Sequence, residues 1–190
     1  MLRTVEAVAA TGAPTVVMTY WNPVERYGVE RFAADLADAG GAGLITPDLT
    51  PDSGTEWVAA ADALDLDRIF LVAPSSTDER LAMTTAACRG FVYAAAVMGV
   101  TGARASTSDL AGPLVARTRA VLQQGGRDLP VAVGLGVSTG DQAAEVAAYA
   151  DGVIVGSAFV RCLLDHDDAT RARSALDSLT TDLARGVRRG

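Results

Sequence analysis

The amino-acid sequence predicts a parallel α/β fold, and three observations carry the prediction. Short β-branched, apolar runs such as TVVMTY, RIFLV and FVYAAAV alternate with helical stretches along the whole chain. The runs are apolar on both faces, as strands covered by helices on each side must be. Several run straight into glycine-bearing loops: GVTGAR, GLGVSTGDQ and GSAFV. The pattern reads as about six strands, each followed by a helix, and so as right-handed βαβ units in a parallel sheet. At 190 residues, with no repeat and no low-complexity linker, residues 1–190 read as a single domain.

The elements follow in order. Leu2–Ala10 carries Leu2, Val5 and Val8 at helical spacing and stops at Thr11-Gly12-Ala13-Pro14. Thr15–Tyr20 is a buried strand, followed by a loop through Trp21, Asn22 and Pro23 to Gly28. Val29–Ala39 is a helix with Phe32 and Leu36 on its core face, halted by Gly40-Gly41. Ala42–Thr46 is a strand that exits into PDLTPDSGTE, and Glu56–Leu64 a helix. Arg68–Val72 is a strand, and Thr77 the N-cap of a helix over Asp78–Cys88. The FVYAAAV strand and its glycine loop come next, then a helix capped by Ser108 or Asp109 and running to about Gln123. Leu129–Gly134 and Gly152–Val155 are strands on either side of the helix Asp141–Ala150, which Thr139 caps. Ser157–Leu164 is a short helix, and Ala169 to about Arg185 a longer one with a frayed basic tail.

Composition narrows the function. A net charge of −7 argues against nucleic acid or an anionic membrane as the main partner. No apolar run reaches the roughly 18 residues of a membrane span, and a reducing cytoplasm is the expected location. Cys88 and Cys162 lie in apolar helical patterns and read as small buried thiols. The single histidine, His166, sits beside Asp165, Asp167 and Asp168 and reads as a solvated loop residue rather than a metal ligand. There is no lysine, so chemistry here would fall to carboxylates, tyrosine or backbone groups. Neither a metal nor a cofactor is implied.

Small-residue loops at strand ends leave backbone N–H groups free to face an anion. Three such ends in succession suggest one phosphate pocket on the face of the strand C-termini. Taken singly, each glycine is as well explained by a turn.

Five stretches in order, TYWNPVERYG, LITPDLTPDS, VYAAAVMGVTGAR, VGLGVST and GSAFV, resemble the tryptophan synthase alpha subunit over essentially the whole chain. The resemblance implies a parallel (β/α)₈ TIM barrel that cleaves indole-3-glycerol phosphate to indole and glyceraldehyde 3-phosphate. It also implies a beta-subunit partner in an alpha2beta2 complex; pyridoxal phosphate would belong to that partner. Carried over by motif, backbone N–H groups at Gly102, Gly136, Gly156 and Ser157 would bind the substrate phosphate. Tyr93 would border the indole end, and Thr101 would sit on a loop that closes over substrate. Asn22, Pro23 and Asp48 would meet the beta subunit; apart from the resemblance they read as a turn and a solvated acid. Thr50 stands where the family commonly has proline, and Val97 and Met98 where some members have Arg and Ser.

The family's catalytic Glu and Asp find no match here, and Glu25, Asp48 and Asp52 do not fit their pattern. The resemblance places both carboxylates, with the first two strands, upstream of Met1. The chain is therefore expected to be an N-terminally truncated, incomplete barrel of about six βα units, inactive alone, with TVVMTY and DGVIVG as open edges. A start codon set too far downstream would explain it. Two rivals remain. A sugar-phosphate isomerase or epimerase would need histidines or acids at strand ends. A non-catalytic regulator would keep the docking or phosphate-binding surface and dispense with the chemistry.

Overall fold

The computed structural model describes residues 1–96 and 108–190, with the backbone alone at 108 and 109. The described residues fall into two compact units. The first comprises Met1–Val72, Ser76–Val92 and Val121–Leu129; the second comprises Ala73–Ser75, the described part of Tyr93–Ala120, and Pro130–Gly190.

In the first unit, helix α1 (Leu2–Ala9) precedes strand β1 (Val16–Met18). Helices α2 (Trp21–Tyr27) and α3 (Val29–Asp38) follow, then β2 (Gly43–Ile45), α4 (Thr55–Ala63) and β3 (Asp67–Ile69). The strands run parallel in the order β1-β2-β3, with Met18 beside Ile45 and Ile45 beside Ile69. Helices cover the sheet through apolar faces: Phe32, Ala33 and Leu36 of α3, and Trp57 and Ala61 of α4, are all buried. Fully burying a side chain such as Phe32 or Leu36 is worth about 1.5–3 kcal/mol.

Two expectations change here. The stretch after β1 is a helix rather than a loop. Pro23 sits in the first turn of α2, where a missing N–H costs nothing, Val24 turns into the core, and Gly28 closes the helix. RIFLV is not one strand but two, β3 and β4 (Leu71–Val72), broken at buried Phe70. There the carbonyl of Phe70 faces the thiol of Cys88 at 3.9 Å, and the strand count becomes seven among the described residues instead of six. Helix α5 (Asp78–Ala87) completes the unit, with the Thr77 hydroxyl accepting from Arg80 N at 3.3 Å as its cap.

In the second unit, β5 (Val92–Ala95), β6 (Val131–Gly134) and β7 (Gly152–Ile154) lie in that order. The β6–β7 pair is parallel and sets Gly134 beside Ile154. Helix α6 (Ser108–Gln124) follows β5 in the chain, and its residues up to Ala120 belong to this unit; its expected Ser108 or Asp109 side-chain cap lies outside the described residues. Helix α7 (Gly140–Ala147) is capped by Thr139, whose hydroxyl accepts from Gln142 N at 3.3 Å. Helices α8 (Ser157–Leu164) and α9 (Ala169–Val187) complete the chain. The tail is not frayed: α9 runs on to Val187, and Arg189 pairs with Asp141 at 2.8 Å.

Candidate functional site

The candidate site is built from loops that leave the C-terminal ends of the strands. In the second unit, register supplies the geometry. Because Gly134 lies beside Ile154, Gly136 and Gly156 each stand two residues beyond a paired position on neighbouring strands. Both are exposed, and a side chain at either would meet nothing within 4 Å. Gly136 has φ +82°, a conformation that glycine adopts without strain. Gly156 is the N-cap of α8 and Ser157 its first residue, so the N-cap itself has no side chain with which to cap the helix. The first N–H groups of α8 therefore carry the partial positive charge of a helix start and receive no acceptor from the N-cap residue's side chain.

Tyr93 lies on β5, half-buried, and its ring reaches across to β6. A Cβ on Gly134 would overlap the Tyr93 hydroxyl and the adjacent ring carbons, so the glycine is what lets the ring lie there. Burial pushes the Tyr93 phenol above its usual pKa. Gly102 and Thr101, with Val97 and Met98, lie outside the described residues.

In the first unit, the structure brings Asn22, Pro23 and Asp48 together. Asn22 and Pro23 are exposed in the first turn of α2. The two carboxylate oxygens of Asp48, on the loop after β2, accept from the backbone N–H of Trp21 at 2.9 and 3.1 Å. Asp48 is thus a helix cap lent by a neighbouring strand end, and not simply a solvated acid.

The β1 end departs from a strand buried on both faces: Met18 is 53% and Tyr20 68% exposed. A cavity of about 380 Å³ adjoins the end of β1, with Leu2, Thr19, Val24, Tyr27 and Phe32 in its wall; of the predicted site residues it touches only Pro23.

Among the described residues no group of three or more His, Cys, Asp and Glu side chains is placed to hold a metal. His166 Nδ1 lies 3.0 Å from the Cys162 carbonyl, one turn back along the chain. Cys88 is buried as expected; Cys162 is only half-buried. No helix among the described residues is long and apolar enough to cross a membrane.

Comparison with known proteins bears on the same chain. A family model described as tryptophan synthase alpha chain matches residues 1–187. The chain is 65% identical to the tryptophan synthase alpha chain of Acidothermus cellulolyticus over 189 residues, covering 100% of this chain and 68% of that relative. It is 59% identical to that of Thermobifida fusca over 188 residues, covering 99% and 69%. Among solved structures it is similar to tryptophan synthase from M. tuberculosis in an open form with BRD0059 bound. That likeness has a TM-score of 0.86 and 54% identity, covering 100% of this chain and 68% of the other. A mutant alpha-subunit from Pyrococcus furiosus is similar at TM-score 0.81 and 30% identity, covering 96% and 71%.

Proposed function

The chain belongs to the tryptophan synthase alpha chain family, and from that premise we propose that it binds indole-3-glycerol phosphate by its phosphate at the ends of β6 and β7. The family is a lyase family of tryptophan biosynthesis, and the fold is of the parallel (β/α)₈ class. One observation carries the proposal: paired strands place Gly136 and Gly156 in step, beside the start of a helix whose N-cap is a glycine with no capping side chain of its own. A phosphate suits that position because backbone N–H groups and the helix dipole act together there. In an acidic chain the anion has to be held by local groups of this kind, since the overall field repels it.

In this reading Gly102, Gly136, Gly156 and Ser157 hold the phosphate. Tyr93 borders the indole end, and Thr101 belongs to the loop over the substrate. Asn22 and Pro23, with Asp48 beside them at the start of α2, mark the side that faces a beta chain, with residues 1–190 acting as one domain. Cleavage of the carbon–carbon bond needs an acid to protonate the indole carbon and a base to take the hydroxyl proton. No carboxylate of this sequence matches either role, so the part assigned to residues 1–190 is binding and orientation.

Indole release from indole-3-glycerol phosphate tests the assignment. This chain is compared, with and without a beta chain, against one extended by the remaining third of its relatives. Release by the extended form alone is the expected result. Release by the 190-residue chain would mean that an acid such as Asp48 does proton transfer. Activation of the beta chain without any cleavage by either form would favour a regulator. Direct binding is read with Ser157→Asp, whose carboxylate opposes the phosphate. About tenfold weaker binding or more is expected, and unchanged binding would remove the phosphate site from this helix end.

A further inference from the structure

We propose that Asp48 is a positioning residue, holding Asn22 and Pro23 in place for the beta chain by capping α2 rather than by meeting that partner itself. The inference rests on the reading of Asn22 and Pro23 as docking surface. Three observations lead to it.

The first is register. Strands β1 and β2 are parallel, with Met18 beside Ile45. Three residues further along each chain stand Trp21 and Asp48, so the ladder that pairs the strands also delivers the acid to the helix start. The backbone between them stays in step, with Thr19 N donating to Ile45 O at 3.2 Å.

The second is the shape of the contact. Both oxygens of Asp48 lie within hydrogen-bonding distance of one donor, the first N–H of α2. A carboxylate there also meets the positive end of the helix dipole. Tyr20, the residue in the N-cap position, has no side-chain hydrogen bond to the helix, so the cap comes from outside the segment.

The third is the weakness of α2 alone. It has seven residues with a proline in its first turn, and a helix of that length has no stability of its own. Its position depends on what grips it: Val24 in the core, Gly28 at its end and Asp48 at its start. Asn22 and Pro23 lie between the Asp48 grip and the Val24 anchor, so their placement follows from both.

A docking acid needs its charge, whereas a capping acid needs an acceptor oxygen. Asp48→Asn keeps the acceptor and drops the charge; Asp48→Ala drops both. The full chain and its Ala and Asn variants are each measured for amide exchange at Trp21 and for affinity to a beta chain. Asp48→Ala is expected to speed Trp21 exchange about tenfold and weaken binding about tenfold. Asp48→Asn is expected to restore both to within about threefold of the parent. Unchanged Trp21 exchange in Asp48→Ala overturns the proposal. So does an Asp48→Asn chain that keeps Trp21 protected yet binds as poorly as Asp48→Ala, since the charge would then be meeting the partner. A parent chain that does not bind the beta chain at all defeats the docking reading and the proposal with it, while the exchange data still report whether Asp48 caps α2.

Discussion

The ring of Tyr93 occupies the space in which a side chain at position 134 would stand. A Cβ on Gly134 would overlap the phenol oxygen, Cζ and Cε1 of Tyr93. Strands β5 and β6 are neighbours at this level, with Ala96 N donating to Gly134 O at 3.1 Å, so the backbone cannot move aside without breaking the ladder. Gly134→Ala should therefore cost about 1–3 kcal/mol in urea unfolding, the range for overpacking a close contact. In a Tyr93→Ala background the same change should cost much less, with a coupling of about 0.5–3 kcal/mol. Additive costs would mean that the ring yields freely.

A second close approach ties α7 to α9. A Cβ on Gly186 would strike the carbonyl of Gly140, and Gly140 N donates to Asp182 Oδ2 at 2.6 Å. Gly186→Ala meets backbone that cannot rotate away and should destabilise by about 1–3 kcal/mol. Asp182→Ala removes a helix cap and should cost about 1 kcal/mol. Urea unfolding of the two variants tests both values, and a Gly186→Ala protein as stable as the parent would show that the helices can separate at no cost.

Where sequence and structure part, the reason is local. Val29–Asp38 was legible because Phe32 and Leu36 recur at helical spacing and Gly40-Gly41 stops the run. The caps Thr77 and Thr139 were legible because each hydroxyl serves its own helix. Helix α2 was not, because Asn-Pro reads as a turn and the acid that caps it comes from 27 residues away. The same limit applies to Asp182: a cap lent by another element leaves no local pattern. RIFLV read as one strand because nothing in five apolar residues marks a break at Phe70. Of the candidate site, glycines at strand ends were visible as composition, but the step that sets Gly136 level with Gly156 is a property of pairing.

The C-terminal end of α5 is held by two arginines. Arg127 donates to the carbonyls of Ala86 at 2.8 Å and Cys88 at 2.6 Å, and Arg68 Nε donates to Ala87 at 3.0 Å. Three successive carbonyls at a helix end thus find cationic donors where the dipole favours them. Arg127→Ala should lower stability by about 1.5 kcal/mol, the low end for charged hydrogen bonds because the side chain is half-exposed. Arg127→Lys should recover little of it, since one ammonium cannot reproduce a planar fork that spans two carbonyls. Full recovery in urea unfolding by lysine would assign the effect to charge alone.

Cys88 makes the stability of the chain depend on alkaline pH. The thiol is fully buried beneath the carbonyl of Phe70. Burial pushes its pKa up from 9.0 to about 11, against smaller opposing effects from the Phe70 hydrogen bond and the charges of Arg127 and Arg68. The folded state therefore favours the protonated thiol. That contribution is fully present below the unfolded pKa and is lost as pH rises from about 9 towards 11. A shift of this size corresponds to roughly 2–3 kcal/mol. Cys88→Ala loses buried contacts at every pH but does not carry this dependence. The stability gap between parent and variant in urea should thus be widest at pH 8 and narrow by pH 10.5, with the other ionising groups common to both. A thiol reagent at pH 8 offers an independent check: half-buried Cys162 should react in the native chain, and Cys88 only once denaturant has opened the core. A constant gap, together with two reactive native thiols, would mean that water already reaches Cys88 and that its burial exerts no hold on the proton.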